Sequence, residues 1–269
     1  MGEGRRKSRR RAEILRGETR CIYCSDFPTT VEHMPPRSMF AQSHRLSGLE
    51  FASCRECNFS TRAADCAAAF FTRLSPTNIV DELELAEAFK LTGTLSQIAP
   101  GFVSEIFDKR RSKEIWAHGR DPILGRKVQI VADGEITQTL LRVFSAKLGM
   151  ALFREHTGRP LPLDGLVFSQ HYLNAGLSQD EAEATLRILP TLGELRMGRQ
   201  RSGKNFSYRF NTDGKTIVAS LAAFNNNFYV RNFAVSDPLF FDPLMQSHLK
   251  EPIRPGQFPK LAEAWAPSK

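Results

Sequence analysis

The sequence predicts an α+β chain: a small metal-built module near the N-terminus, then an α+β body with an antiparallel sheet. Three observations carry that reading. Two Cys-x-x-Cys pairs, Cys21/Cys24 and Cys54/Cys57, stand 29 residues apart early in the 269-residue chain. The middle of the chain repeats its apolar residues at helical spacing. The last third, from about Glu194, alternates apolar and polar residues with a period of two, as half-buried strands do.

The elements follow in order. Residues 8–16 predict a short basic helix leading into the first cysteine pair. Thr29-Thr30-Val31 reads as strand, and Pro35-Pro36 stops any regular element after His33, because proline lacks an amide donor and restricts the residue before it. Leu49-Glu50-Phe51-Ala52 alternates like a short strand. A helix is expected from Arg55 to Leu74, ending near Ser75-Pro76. That stop divides the chain into a basic arm (1–20), a metal module (21–75) and an α+β accessory body (76–269). Asp81–Leu91 is amphipathic, Val103–Arg111 is a weaker helix, and Lys127–Ala132 is a strand closed by Asp133-Gly134. Ile136–His156 is the clearest helix, with Leu140, Val143, Phe144, Leu148, Ala151 and Leu152 on one face and Gly158 and Pro160 as its stop. Leu166–Tyr172 reads as strand, and Ser178–Leu189 as a helix opened by a capping box. Glu194–Arg199, Phe206–Asn211, Thr216–Ala223 and Phe228–Val235 read as four antiparallel strands. Asn211-Thr212-Asp213-Gly214 and Asn225-Asn226-Asn227 are the turns.

Composition narrows the class. Hydrophobic content of 41% and charged content of 25% fit a folded globular chain. No apolar run approaches the ~20 residues of a membrane span, and the basic N-terminus has no apolar segment behind it. The expectation is a cytoplasmic protein without membrane contact. There, paired cysteines serve as metal ligands rather than disulfides. Residues 1–20 hold eight arginines and lysines against three glutamates, net +5 of the chain's +8. Such an arm attracts polyanions such as nucleic acid.

Four thiolates in two Cys-x-x-Cys turns suit tetrahedral zinc, which would hold together a segment too small to build its own core. Between the pairs lies Glu32-His33-Met34-Pro35-Pro36, and Asn58 follows the second pair directly. Glu32 and Asn58 offer oxygens suited to Mg²⁺ or Mn²⁺, and His33 can take a proton from an attacking water. Arg37, Arg55 and Arg62 are candidate phosphate contacts.

The ordered set C-x-x-C, E-H-x-P-P, C-x-x-C-N resembles the HNH endonuclease family, the treble-clef or ββα-metal nucleases with two zinc knuckles. The likeness covers roughly residues 20–70. It implies structural zinc on Cys21, Cys24, Cys54 and Cys57, His33 as general base, and Glu32 and Asn58 on a catalytic Mg²⁺ or Mn²⁺. The implied activity is hydrolysis of phosphodiester bonds in nucleic acid, DNA foremost, by a chain that a double-strand cut would favour as a homodimer. Two positions depart from the family. Glu32 stands for the more usual aspartate, and no histidine follows Asn58 on the helix, where Asp65, on the same helix face, is the best substitute ligand. A zinc protein that binds nucleic acid without cutting it is the alternative, and a protein scaffold stapled by zinc is a third. Residues 76–269 carry no motif tied to a reaction. Arg196, Arg199, Arg201, Lys204 and Arg209, interleaved with Phe206 and Tyr208, make a basic hairpin that reads either as a nucleic-acid contact or as an ordinary charged sheet edge.

Overall fold

The computed structural model describes residues 2–40, 45–74, 82–118, 124–129, 131–173, 178–197, 199–203, 205–240 and 251–259. Helix α1 (Gly2–Arg16) begins earlier than the basic helix expected over 8–16. Strands β1 (Thr30–His33) and β2 (Glu50–Ser53) pair antiparallel, with Thr30 opposite Ser53 and His33 opposite Glu50. The single helix predicted over 55–74 is two, α2 (Arg55–Ser60) and α3 (Arg62–Arg73), broken at Thr61. At Thr61 the backbone leaves the helical range, φ −96° and ψ 1°, while its hydroxyl and its amide both donate to the Cys57 carbonyl, at 2.8 and 3.2 Å. The predicted stop at Ser75-Pro76 lies outside the described residues.

Helix α4 (Glu82–Ile98) is followed by α5 (Phe102–Ile106). The latter ends before the predicted Arg111, because the Asp108 carboxylate accepts from the Arg110 amide at 2.9 Å and turns the chain. Strands β3 (Lys113–His118) and β4 (Leu124–Gln129) form a separate hairpin. Of the strand expected over Lys127–Ala132, residues 127–129 lie in β4, and residue 130 is outside the described residues. Helix α6 (Glu135–Thr157), strand β5 (Leu166–Leu173) and helix α7 (Gln179–Ile188) follow the expected spans closely. The Ser178–Glu181 capping box forms in full. The chain closes with β6 (Thr191–Glu194), a small hairpin of β7 (Arg196–Met197) and β8 (Gln200–Arg201), and the long strands β9 (Phe206–Thr212), β10 (Ile217–Phe224) and β11 (Phe228–Val235). Five of these strands make one antiparallel sheet in the order β5-β11-β10-β9-β6.

Helix α6 is the centre of the molecule. Its residues 140–153 are buried except Arg142, because α3 covers one side and the sheet the other. The Glu105 carboxylate accepts from the Ile136 and Thr137 amides at 3.0 and 2.8 Å, supplying the N-terminal acceptor that Gly134 cannot. Gly158, at φ +75°, closes the other end in the left-handed conformation. Phe144 packs against Phe224 and Phe228 of the sheet, both at 5.8 Å between ring centres. Phe70 and Phe71 of α3 meet Phe102 from α5. One continuous apolar core therefore runs from the cysteine module through α3 and α6 into the sheet.

The turn between β10 and β11 reinforces that union. Asn225 and Asn226 take left-handed φ values of 48° and 56°, as a tight hairpin demands. Asn225 and Asn227 then donate side-chain amides to the Thr72, Phe71 and Leu74 carbonyls, satisfying the C-terminal end of α3. Phe206 and Tyr208 of the basic hairpin face this core, 0% and 6% exposed, and Arg196 and Arg201 pair with Glu194. Lys204 lies outside the described residues. Among the described residues no helix is long and apolar enough to cross a membrane.

Candidate functional site

The cysteine pairs meet. The sulfurs of Cys21, Cys24, Cys54 and Cys57 all lie within 4.8 Å of one another, and all four residues are buried. Tetrahedral zinc at ~2.3 Å from each sulfur would set them about 3.8 Å apart, so the set fits such an ion. The backbone explains the convergence. The first turn is closed by Cys21 N–H donating to the Asp26 carbonyl at 2.8 Å, and it is tied to β2 by Ile22 N–H donating to the Ala52 carbonyl at 3.1 Å. The second pair opens α2, with Cys54 as N-cap accepting from the Cys57 amide at 3.2 Å. Arg20 clamps the first turn from outside, donating to the Cys21 and Cys24 carbonyls, each at 3.1 Å, and to Leu161 at 2.5 Å.

Strand β1 sends adjacent residues to opposite faces, as every strand does. Glu32 points inward, 4% exposed, and meets Lys147 from α6 with 3.0 Å between Oε1 and Nζ. Asp65 of α3 reaches the same ammonium, Oδ2 to Nζ 2.6 Å. The two carboxylates expected to share a cation are thus brought together, and the cation between them is Lys147. That ammonium is wholly buried and lies 5.5 Å from the centre of the Tyr23 ring. Burial pushes Glu32 up to about 7 even against the pull of Lys147. Burial likewise raises Asp65. Burial acts to lower the lysine, but Asp65 and Glu32 outweigh it and hold it charged. Asn58 is not directed at this pair in the same way: its side-chain amide donates to Thr30 Oγ1 at 3.3 Å. A divalent ion on Glu32 and Asp65 would have to displace a buried lysine, so the residues as arranged do not fit a second resident metal. Among the described residues the four cysteines are the one group of three or more His, Cys, Asp or Glu that could hold an ion.

His33 faces the other way, toward α1. Arg37 donates to Nε2 at 3.1 Å. A guanidinium has no acceptor, so Nε2 must carry the lone pair and Nδ1 the proton. Nδ1 in turn faces Glu50 Oε1, on its cross-strand partner, at 3.6 Å, and makes no hydrogen bond among the described residues. Arg10 of α1 reaches Glu50 Oε2 at 2.9 Å. Arg45 lies 3.9 Å from Glu50 and also donates to the carbonyls of Met34, Pro35, Leu46, Gly48 and Leu49, which locks the loop beside His33. Burial, with Arg45, Arg37 and Arg10 nearby, lowers His33 to about 4, so the ring is neutral at pH 7. The site is therefore an unprotonated imidazole nitrogen with a carboxylate behind it, two guanidinium groups on that carboxylate and a third on the imidazole. It attracts an anion, and a phosphate seated among the arginines would offset the positive charge that now opposes proton uptake at Nε2.

The remaining sequence-predicted residues form a second surface. Thr30, Arg55, Asn58, Phe59 and Arg62 line a shallow pocket of about 260 Å³. The Arg62 guanidinium stacks 4.3 Å above the exposed Phe59 ring. Glu50, Arg10 and Arg45 join the His33 site, and Lys147 joins the Glu32–Asp65 site, without having been singled out by motif. Glu50 was findable from the pairing of the two predicted strands. Compared with known protein families, curated proteins and solved structures, the chain matches none.

Proposed function

We propose that this chain is a zinc-built endonuclease that breaks phosphodiester bonds in nucleic acid, with His33 as the general base. The observation that carries the reading is the His33–Glu50 pair. It leaves an unprotonated Nε2 beneath Arg37, with Arg10 held nearby on Glu50, where a phosphate would be drawn. The order of motifs that resembles HNH nucleases supports it, and so does the fit of the four cysteines to a structural zinc. In that family likeness DNA is the first substrate to try, with Mg²⁺ or Mn²⁺ as the added ion. The deciding experiment incubates zinc-loaded protein with plasmid DNA and with RNA, with Mg²⁺, with Mn²⁺ and with neither. His33→Ala should lower cleavage by roughly 10²- to 10⁴-fold. Equal cleavage by both proteins would remove His33 from the mechanism.

A second reading has one observation in its favour. Lys147 neutralises the carboxylates that a metal nuclease would leave open, as a protein that binds nucleic acid without cutting could afford to do. Salt-sensitive binding with no cleavage of DNA or RNA under any of these conditions would select it.

A further inference from the structure

The two faces of β1 are chemically unlike. On the inner face, Glu32 and Asp65 are closed off by a buried ammonium that no substrate can reach. Freeing them would mean pulling α6 away from α3, and both helices lie in one continuous core. On the outer face, His33 and Glu50 are partly open, and Arg10 and Arg37 extend toward solvent. The charge that a divalent ion would supply to a phosphate is thus offered on this face by guanidinium groups, next to His33 and away from Glu32 and Asp65.

We propose that the His33–Glu50 face cleaves RNA by transesterification, with the substrate's own 2′-hydroxyl as nucleophile and arginines meeting the phosphate charge. This rests on the reading of His33 as a general base. Arg37 leaves Nε2 to pair with a phosphate oxygen, and Nε2 then accepts the proton of the 2′-hydroxyl. The 2′-oxygen bonds to phosphorus and the bond from phosphorus to the 5′-oxygen breaks. The leaving oxygen takes a proton from solvent water, and His33 returns its own proton to solvent. The products are a 2′,3′-cyclic phosphate and a 5′-hydroxyl, with no net gain or loss of protons. Glu50 Oε1 lies 3.6 Å from Nδ1, beyond hydrogen-bond reach, and its charge stabilises the imidazolium as it forms, as a carboxylate does behind a catalytic histidine. Arg10 and Arg37 stabilise the charge that grows on the phosphate oxygens.

The chemistry selects the substrate class. An internal nucleophile is worth an effective concentration on the order of 10⁵ M or more, so a site built from a base and arginines suffices for RNA. Attack by free water on DNA lacks that advantage and needs a Lewis acid at the leaving oxygen. The 2′-hydroxyl is also the group by which a protein tells RNA from DNA.

The experiment uses the full zinc-loaded chain and three oligonucleotides of one sequence: all-ribo, all-2′-deoxy and all-2′-O-methyl. Each is incubated without added divalent ions and again with Mg²⁺, and the new ends are identified by mass. The ribo strand should be cut without added metal to cyclic-phosphate and 5′-hydroxyl ends, at least about 10³-fold faster than the other two. His33→Ala should slow that cutting by roughly 10²- to 10⁴-fold, which also excludes a contaminating ribonuclease. Cleavage of the deoxy strand to 5′-phosphate ends, or cleavage only with Mg²⁺, would overturn the RNA assignment and leave the endonuclease reading standing. No cleavage of any strand, or no effect of His33→Ala, would overturn the endonuclease reading itself.

Discussion

Lys147 and Asp65, 82 residues apart in the chain, meet at 2.6 Å inside the protein. Glu32 completes the contact from a third element. Removing the ammonium alone leaves two buried carboxylates unpaired. Lys147→Met should therefore destabilise the fold by about 3–5 kcal/mol. The combined Lys147→Met, Glu32→Gln, Asp65→Asn variant should recover most of that loss, because no buried charge then lacks a partner. Urea unfolding of the single and triple variants measures both. An unchanged midpoint in the single variant would contradict the buried pairing.

The cysteine cluster should carry one zinc per chain, and its loss should reach the whole core. Cys54→Ser removes a zinc thiolate while its hydroxyl can still cap α2, so the loss reports on the metal. It should lower both the bound zinc and the unfolding temperature, because zinc affinity at such sites is folding free energy. Metal analysis of purified protein alongside a thermal melt tests the two as one event.

Glu50→Gln keeps the size of the side chain opposite His33 but removes its charge. Cleavage should fall by roughly 10- to 10²-fold, less than for His33→Ala, because the base remains while its imidazolium loses its stabilising partner. A circular dichroism spectrum like that of wild type would confirm an intact hairpin.

Acid should weaken the fold through His156. Its ring stacks on Phe210 at 3.7 Å, and burial lowers it from 6.5 to about 4. As pH falls below 6.5 the unfolded chain takes up a proton that the folded chain refuses, so stability declines until about pH 4. His33 adds a slope of the same sign, since burial and its arginine neighbours hold it near 4 too. His156→Gln should flatten part of the decline between those pH values, as read from urea midpoints at each pH.

The basic arm should act as part of the nucleic-acid surface. Helix α1 is docked on β1 and β2 through Arg10 to Glu50 and Arg11 to the Thr29 carbonyl. Arg10→Ala should weaken binding across all sequences and reduce the salt dependence by about one phosphate contact. Fluorescence anisotropy at several salt concentrations gives both numbers.

The zinc frame was legible because cysteine spacing is a local signal, and the long strands of the sheet were legible because their period of two is strict. Lys147 was not. Lys147 stands on the apolar face of α6, four residues after Val143 and four before Ala151, so the spacing alone turns it inward, but no motif marks a lysine there as paired. Which carboxylates meet it is decided by the packing of α3 and β1 against α6, and that is a tertiary fact. Glu50 was visible as one residue of an alternating strand, but its partnership with His33 depends on pairing register across the insert. Arg45 makes its contacts almost wholly to backbone carbonyls, which leave no trace in side-chain pattern. The break at Thr61 was hidden too, since it is a local change of backbone angles at a residue that helices accept and that no spacing marks.

The alternation of β1 has a consequence for how this chain can vary. Glu32 faces a lysine, and His33 faces a carboxylate and arginines. A slip of one residue in the pairing of β1 with β2 would turn the imidazole toward the buried ammonium and the glutamate out of its ion pair. The reading frame of the hairpin is therefore written in charge as well as in hydrophobicity. Insertions between the two cysteine pairs can accumulate in the connecting loop, while the four-residue strands themselves tolerate neither gain nor loss of a residue.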